Sequence, residues 1–551
     1  MSDDHFLSAI WPAVEAANAS AEGFSQISKD MIVCLPAGVE APSADKGNII
    51  RAKMYKAFAS EIDAAYIRSE QAAVGAVKYD LPELETYLAK LIKEDLATDI
   101  EGPISDFHQA GIDSLRAIRL RSLIIKNVDI GDKLLPPNVV FDTGNVRRLA
   151  RYISTPKSQV DDGNSLDGVL TGATGSLGSH LLSQLVVRED VAQVYCLVRG
   201  ERPADRVQQA LRARHLKNDT LSPKVTVFAS DLRLPDFGLT SADLDQMLNT
   251  VTHIIHAAWP VNFQLGLDSF EPEILGLHNL MQLSLSVHAP SPAELFFCSS
   301  ISAALATPAP AVIEEALISD FNHALDSGYA RSKLVGEHLV AAAVAEAGAS
   351  AYVFRIGQIV GDTRNGIWNE SEAPPLMIRS ALTLKTLPAL DVVCSWVPVD
   401  TLASSIIEIA LARKHIPEGQ TWNLENPKTF HWTRDLLPVL RNAGLQFDTV
   451  GPAEWLRQLR HYHETTPAEE ALVRNPAVKL LDHFESSYGD KNLQLNGAAD
   501  NKNSSRQDSN RVTFDTRRAQ ADSISLLNAP DVLEQGLVDK YLSVWLEKWL
   551  S

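Results

Sequence analysis

Cysteine is scarce in this chain, with four thiols in 551 residues. Cys34, Cys196, Cys298 and Cys394 stand far apart, without a Cys-x-x-Cys pair or metal-ligand spacing. That excludes a disulfide-built scaffold and a zinc module, and no metal site is expected. Three of the four fall in apolar, strand-like runs, as buried thiols of a reducing compartment do. Also missing is any run of about 20 uncharged apolar residues, so no spanning helix is expected. The nearest approach, 338–360, contains Glu346 and Arg355 and divides into a helix and a strand. Positive charge is short as well: 50 Lys and Arg face 69 Asp and Glu, a formal net charge of −19. Such a balance argues against nucleic acid or an anionic membrane as partner. The opening residues, MSDDHFLSAI, carry acids where a secretory signal needs bases, and the expected location is the cytoplasm.

What is present is the composition of an ordinary globular protein, 45% hydrophobic and 22% charged, in a chain long enough for roughly three or four domains. One stretch organises the rest. In GVLTGATGSLGSHLLSQLVV a short apolar strand runs into Gly172, Gly175 and Gly178, with Thr174, Ser176 and Leu177 between them, and a helix follows. Glycines at such a turn let the backbone approach a pyrophosphate, whose charge then rests on the N–H groups that open the helix. A dinucleotide site is expected. The next strand, 194–198, ends at Arg199, where a carboxylate would hydrogen-bond the ribose of NAD; an arginine suits the 2′-phosphate of NADP instead. Arg206 is a second, weaker candidate, better read as part of a solvated helix face.

Downstream, KVTVFA (224–229) is a third strand leading to Asp231 and Leu232. THIIHAAWPVNF is a fourth, ending in His256, Ala257 and Ala258, whose small residues admit a cofactor. Asn262 reads equally well as a site residue and as a loop amide. The strand 295–298 ends in Ser299, Ser300, Ile301 and Ser302, and GYARSKLVGEHL supplies Tyr329 and Lys333. Four residues apart on a helix, the tyrosine and lysine share a face. An ammonium there, together with the ribose hydroxyls of NADPH, is expected to favour the phenolate and lower the tyrosine pKa from about 10. A serine hydroxyl can then hold a substrate oxygen while tyrosine protonates it. After a further strand come Gly357 and Gln358.

The glycine spacing resembles the fingerprint of extended short-chain dehydrogenase/reductases. By that resemblance Ser300, Tyr329 and Lys333 are the catalytic set, with Ser299 and Ser302 still possible as the serine. Asp231 and Leu232 lie against the adenine, and Gly357 lies at the nicotinamide end. Two further segments carry resemblances. PSADKGNIIRAKMY, within residues 1–75, resembles the C-terminal subdomain of adenylate-forming enzymes, with Lys46 at the position of the lysine that contacts the acyl-adenylate. DFHQAGIDSLRAIRLRSLI, with PPNVVFDTGNVRRLARYI, resembles an acyl/peptidyl carrier domain (80–155), in which Ser114 carries 4′-phosphopantetheine. Leu115, Ile118 and Leu123 are read as the core face of its helix. Residues 156–167 read as a linker.

Taken together, the chain resembles the C-terminal part of fungal non-ribosomal-peptide-synthetase-like adenylate-forming reductases and carboxylic acid reductases. The resemblance implies a multidomain α/β protein. Its parts are a small α+β adenylation subdomain, a helical carrier bundle, a Rossmann-type reductase over 168–425, and a mostly helical substrate-side subdomain over 426–551. Asn492–Asn510, polar and poor in anchors, is expected to be disordered, and the closing LVDKYLSVWLEKWL to pack into a core. NADPH and phosphopantetheine are the implied cofactors, and a tethered acyl thioester the implied substrate. A phosphopantetheinyl transferase and an adenylation lobe supplied in cis or in trans are the implied partners. The expected activity is reductive release as an aldehyde, or on to an alcohol. The alternatives are a redox-inactive, Dieckmann-type cyclising domain, an enzyme of free nucleotide sugars, and a non-enzymatic carrier and docking protein.

Overall fold

The computed structural model describes residues 3–20, 77–154, 166–488 and 511–550, apart from a few short gaps, with isolated positions at 32 and 58. Lys46, Cys34, the expected strand near 31–35 and the expected disordered insert lie outside the described residues. The chain divides into two compact units, one comprising 1–163 and 288–291 and the other 164–287 and 292–551.

In the first unit, helix α1 (Asp3–Ser20) realises the apolar run Phe6, Ile10, Trp11 and Val14. The carrier segment is a bundle of α2 (Leu81–Asp95), α3 (Ser114–Asn127), α4 (Val139–Thr143) and α5 (Val146–Ser154). Helix α2 starts at a capping box, in which the Asp80 side chain accepts from Glu83 N at 2.9 Å. It buries Leu84, Leu88, Leu91 and Ile92. On α3 the buried stripe is Ala117, Leu120 and Ile124. The expected stripe was wrong by part of a turn: Ile118 is 56% exposed, and Leu123 only flanks the core. Ala117 belongs to the buried face because a small residue lets α3 approach its neighbours, and counting bulky residues alone overlooks it.

The second unit is built on a seven-stranded parallel sheet. Its strands are β1 (Leu166–Thr171), β2 (Val191–Val198), β3 (Val225–Ala229), β4 (His253–His256), β5 (Glu294–Ser300), β6 (Ala351–Ile356) and β7 (Thr421–Leu424). They lie in the order 7-6-5-4-1-2-3, every neighbouring pair parallel. This is the doubly wound arrangement with a switch point between β1 and β4, outside whose carboxyl ends dinucleotides bind. β1 begins two residues inside the segment read as linker. Helix α6 (Ser176–Leu185) follows β1, and the long helix α7 (Gly328–Ala347) precedes β6.

The apolar clusters do not follow a single cut at residue 426. Trp368, Leu376, Met377 and Trp396 pack with Trp432, Trp455, Tyr541 and Trp545 in the substrate-side core, whereas Ala519 and Leu526 fill the core of the parallel sheet. The chain thus crosses between the two layers more than once. The closing helix (Leu537–Leu550) packs as expected: Tyr541 Oη donates to Gly361 O at 2.8 Å, and Trp545 lies 5.2 Å from Trp368 between ring centroids.

Candidate active site

The sheet gathers nearly every sequence-predicted residue at the carboxyl ends of its strands. Gly172 leaves β1 with φ +80°, and a Cβ there would lie 2.8 Å from Ala257 C. At Gly178 a Cβ would lie closer still to Gly172 O, so only glycines let the turn, α6 and the end of β4 close on one another. Helix α6 begins at Gly175 with no side-chain cap. Its first-turn N–H groups, around Ser176, Leu177 and Gly178, are thereby left to an anion, and Thr174 lies in the turn beside them. This donor set fits the pyrophosphate of a dinucleotide.

Arg199 is exposed at the end of β2, and Arg206 Nη1 donates to its carbonyl oxygen, so the two arginines are neighbours. Asp231, just beyond β3, pairs with Arg233, which holds its carboxyl down at about 2; Arg199 contributes in the same direction. Leu232 O accepts from Asn279 Nδ2 at 2.8 Å. Asn262 is an exposed loop amide that accepts from Gln264 N. Gly357 follows β6 and donates from N to Leu424 O at 3.0 Å. Beyond it, burial pushes Glu372 and Glu425 each up to about 7; Gln358 hydrogen-bonds the first, and Ser395 Oγ donates to the second at 2.5 Å.

Strand alternation sorts the three serines. Ser299 is buried and its hydroxyl is committed to Glu337, donating to Oε1 at 2.6 Å. Glu337 also pairs with Arg355 at 2.5 Å, both fully buried. Ser300 Oγ accepts from Ser302 N at 3.2 Å and from Ser302 Oγ at 3.0 Å. With both lone pairs engaged, its proton is available to the Tyr329 hydroxyl, to which it is hydrogen-bonded. Tyr329 and Lys333 lie on one face of α7 as expected.

Among the chain's own groups the balance runs against the lowering expected of the tyrosine. Burial pushes Tyr329 up to about 12 and outweighs the opposing bond from Ser300. Lys333 is itself pushed down to about 7 by burial. Its Nζ donates to Cys298 O at 2.6 Å and sits 5.8 Å from the Tyr329 ring centroid, too far to offset the loss of solvent.

Several residues around this set gave no signal in the sequence. Phe263, in the loop after β4, meets Tyr329 edge-on at 5.3 Å and stacks on His483 at 5.1 Å, tying the loop to the substrate-side layer. Trp259 lies over Lys333. Glu337 and Arg355 were readable only as a helix charge and a strand interruption. In the carrier segment, Ser114 is the first residue of α3, and Asp113 caps the helix by accepting from Arg116 N at 2.9 Å, as its N-cap role predicts.

Three family models match in sequence. An AMP-binding enzyme C-terminal domain covers residues 1–70, a phosphopantetheine attachment site 86–153, and an NAD-binding family described as male sterility protein 170–406. The "Non-canonical non-ribosomal peptide synthetase ascB" of Acremonium egyptiacum is 33% identical, aligned over 88% of this chain and 49% of its own length. The "Adenylate-forming reductase Nps10" of Heterobasidion annosum is 29% identical over 88% of the chain and 48% of its own. The homologues of this chain are thus fungal adenylate-forming reductases and non-ribosomal-peptide-synthetase-like proteins. The chain spans about half the length of these curated relatives. The fold is shared with the solved terminal R domain from the myxalamid PKS-NRPS biosynthetic pathway, with a TM-score of 0.58, 24% identity, and 70% of this chain and 92% of that one covered. The NAD-binding and phosphopantetheine matches bear out a nicotinamide dinucleotide and a phosphopantetheine arm as the chain's cofactors. Among its described residues no helix is long and apolar enough to cross a membrane.

Proposed function

We propose that this chain reduces an acyl group held as a thioester on a phosphopantetheine arm at Ser114 and releases it as an aldehyde. The observation that carries the reading is the hydrogen-bonded Ser300–Tyr329 pair beside the buried cation Lys333, at the cofactor edge of the sheet, in a chain with its own carrier segment. Bound at that edge, NADPH supplies hydride, with Gly172–Gly178 against the pyrophosphate and Arg199 on the 2′-phosphate. The residues then divide the work. As the thioester oxygen gains negative charge, Ser300 turns its proton from the Tyr329 hydroxyl to that oxygen, so that Ser300 and Tyr329 both donate to it. Tyr329, protonated across the neutral range, gives that oxygen its proton. Lys333 keeps a positive charge next to the pair and holds the nicotinamide ribose. The resulting hemithioacetal breaks its C–S bond, returning the thiol to the arm and freeing the aldehyde.

Tethering replaces a bimolecular encounter with an effective concentration of about millimolar. Selection of the acid then falls to the adenylation region that loads the arm, on the same polypeptide or another. A phosphopantetheinyl transferase installs the arm. The buried free thiols Cys196, Cys298 and Cys394 suit a reducing compartment, and we place the enzyme in the cytoplasm.

The test is to modify the full chain with a phosphopantetheinyl transferase and a panel of acyl-coenzyme A analogues, add NADPH, and follow cofactor oxidation and aldehyde formation. The chain is expected to oxidise NADPH in step with aldehyde release, and Ser114→Ala to release none from the carrier. Acyl cargo left intact across the whole panel would overturn the reading.

A further inference from the structure

We propose that Trp259 is a positioning residue for this reaction: its indole face holds the Lys333 ammonium in place and in its charged form. The inference rests on the role just given to Lys333.

The lysine is 3% exposed, and its hydrogen-bond acceptor is a neutral carbonyl, Cys298 O. Its remaining surroundings are ring faces: the Trp259 centroid at 4.3 Å and the Phe297 centroid at 4.9 Å from Nζ. Indole has the strongest π face of the natural side chains, and cation–π attraction grows when water is excluded. The indole is also fixed to the helix that carries the lysine. Its Nε1 donates to Ser332 Oγ at 3.2 Å, and Ser332 Oγ donates to Tyr329 O at 2.8 Å. From the strand side, Ala258 N donates to Thr171 Oγ1 at 3.1 Å, and that hydroxyl is hydrogen-bonded to His256 Nδ1 at 2.8 Å. Trp259 therefore reaches from a pinned loop to two adjacent residues of α7, between them the neighbours of both Tyr329 and its ammonium.

The titratable groups facing Lys333 do only part of the work of keeping it charged. On β5, burial pushes the Cys298 thiol up to about 12, so it stays neutral. On β4, burial and the lysine's own charge push His256 down to about 3, so it stays neutral too. On α7, Tyr329 is protonated, and the Glu337 carboxylate, shared with Arg355 and Ser299, favours the ammonium without offsetting its burial. Burial has brought Lys333 down to about 7, where a modest loss of stabilisation discharges it within the working range.

The experiment uses the full chain and the variants Trp259→Leu and Trp259→Phe, with folding checked by near-ultraviolet circular dichroism. The pH midpoint of Lys333 acetylation, read by mass spectrometry, reports the amine directly and needs no turnover. In Trp259→Leu the midpoint is expected to fall by about one pH unit, and in Trp259→Phe by clearly less, because a ring face remains. The alkaline limb of the reduction rate should shift in parallel. Packing alone would lower the rate equally at every pH and leave the midpoint in place. An unmoved midpoint in folded Trp259→Leu, or equal shifts in both variants, overturns the proposal. If Trp259→Leu does not fold, Trp259→Met takes its place under the same criteria. Lys333→Met keeps the two claims apart: undiminished reduction in that variant refutes the role of the lysine, while the acetylation midpoint still judges Trp259.

Discussion

Helix α6 starts at Gly175 without a side-chain cap, whereas α7 starts at Ser327, whose hydroxyl accepts from Ala330 N at 3.2 Å. Both belong to the unit built on the parallel sheet. Where a side chain satisfies the first orphan N–H, the turn is closed to an anion and presents side-chain chemistry, here Tyr329 and Lys333. Where none does, the backbone itself remains the ligand. The division extends to their surroundings. The start of α6 is open at Gly175, while α7 buries Tyr329, Ser332, Lys333 and Glu337 together. One helix meets charge that arrives with a cofactor, and the other holds protons away from water.

The largest effect expected from this contrast is at α7. Tyr329→Phe removes the proton donor while leaving the α6 turn untouched, so hydride transfer should fall by about 10²–10⁴-fold with NADPH affinity retained, measured by single-turnover kinetics and fluorescence titration. Equal losses in rate and affinity would break the division. Next is α6. Gly175→Asp supplies the missing cap, and its backbone, φ −81° and ψ 174°, is one an N-cap aspartate adopts readily. The carboxylate should occupy the N–H groups and repel the pyrophosphate, weakening NADH and NADPH alike by about 100-fold, with Tm slightly lower because the added Cβ would lie 3.3 Å from Gly172 O. A gentler change then separates backbone from side chain within the same site. Arg199→Ala should weaken NADPH by about 10-fold and leave NADH unaltered, because only the 2′-phosphate is lost.

The two helix starts also differ in how far the sequence disclosed them. The α6 turn was legible because close backbone approach demands glycine at fixed local spacing, and Gly172, Gly175 and Gly178 are all where that spacing puts them. Tyr329 and Lys333 were legible as a helical pair, but their protonation was not. A local argument weighed one ammonium and omitted the burial that raises the tyrosine and lowers the lysine. Strand parity sets Ser299 and Ser300 on opposite sides of the sheet, but only the partners Glu337 and Tyr329 show which of them is at the site. On the carrier, the stripe through Ala117, Leu120 and Ile124 was missed because alanine was not counted as apolar surface. Trp259, Glu337 and Arg355 gave nothing, because each acquires its meaning from a partner on another element. The substrate-side layer was read as one continuous tail for the same reason. Trp368 and Trp396 join Trp545 across a long sequence separation.

The excursion of the chain back into the sheet layer has a bearing on biosynthesis. Trp422 Nε1 donates to Asp522 Oδ2 at 2.8 Å, and Asn423 Nδ2 reaches the carbonyl of Asp515 at 2.9 Å, so the edge strand β7 is completed by residues made about a hundred positions later. The nucleotide-binding sheet consequently cannot reach its final form as it emerges from the ribosome, even though its glycine turn is translated well before residues 515–522. It waits, with that edge uncovered, for those residues, and during that interval the uncovered strand is open to wrong pairing.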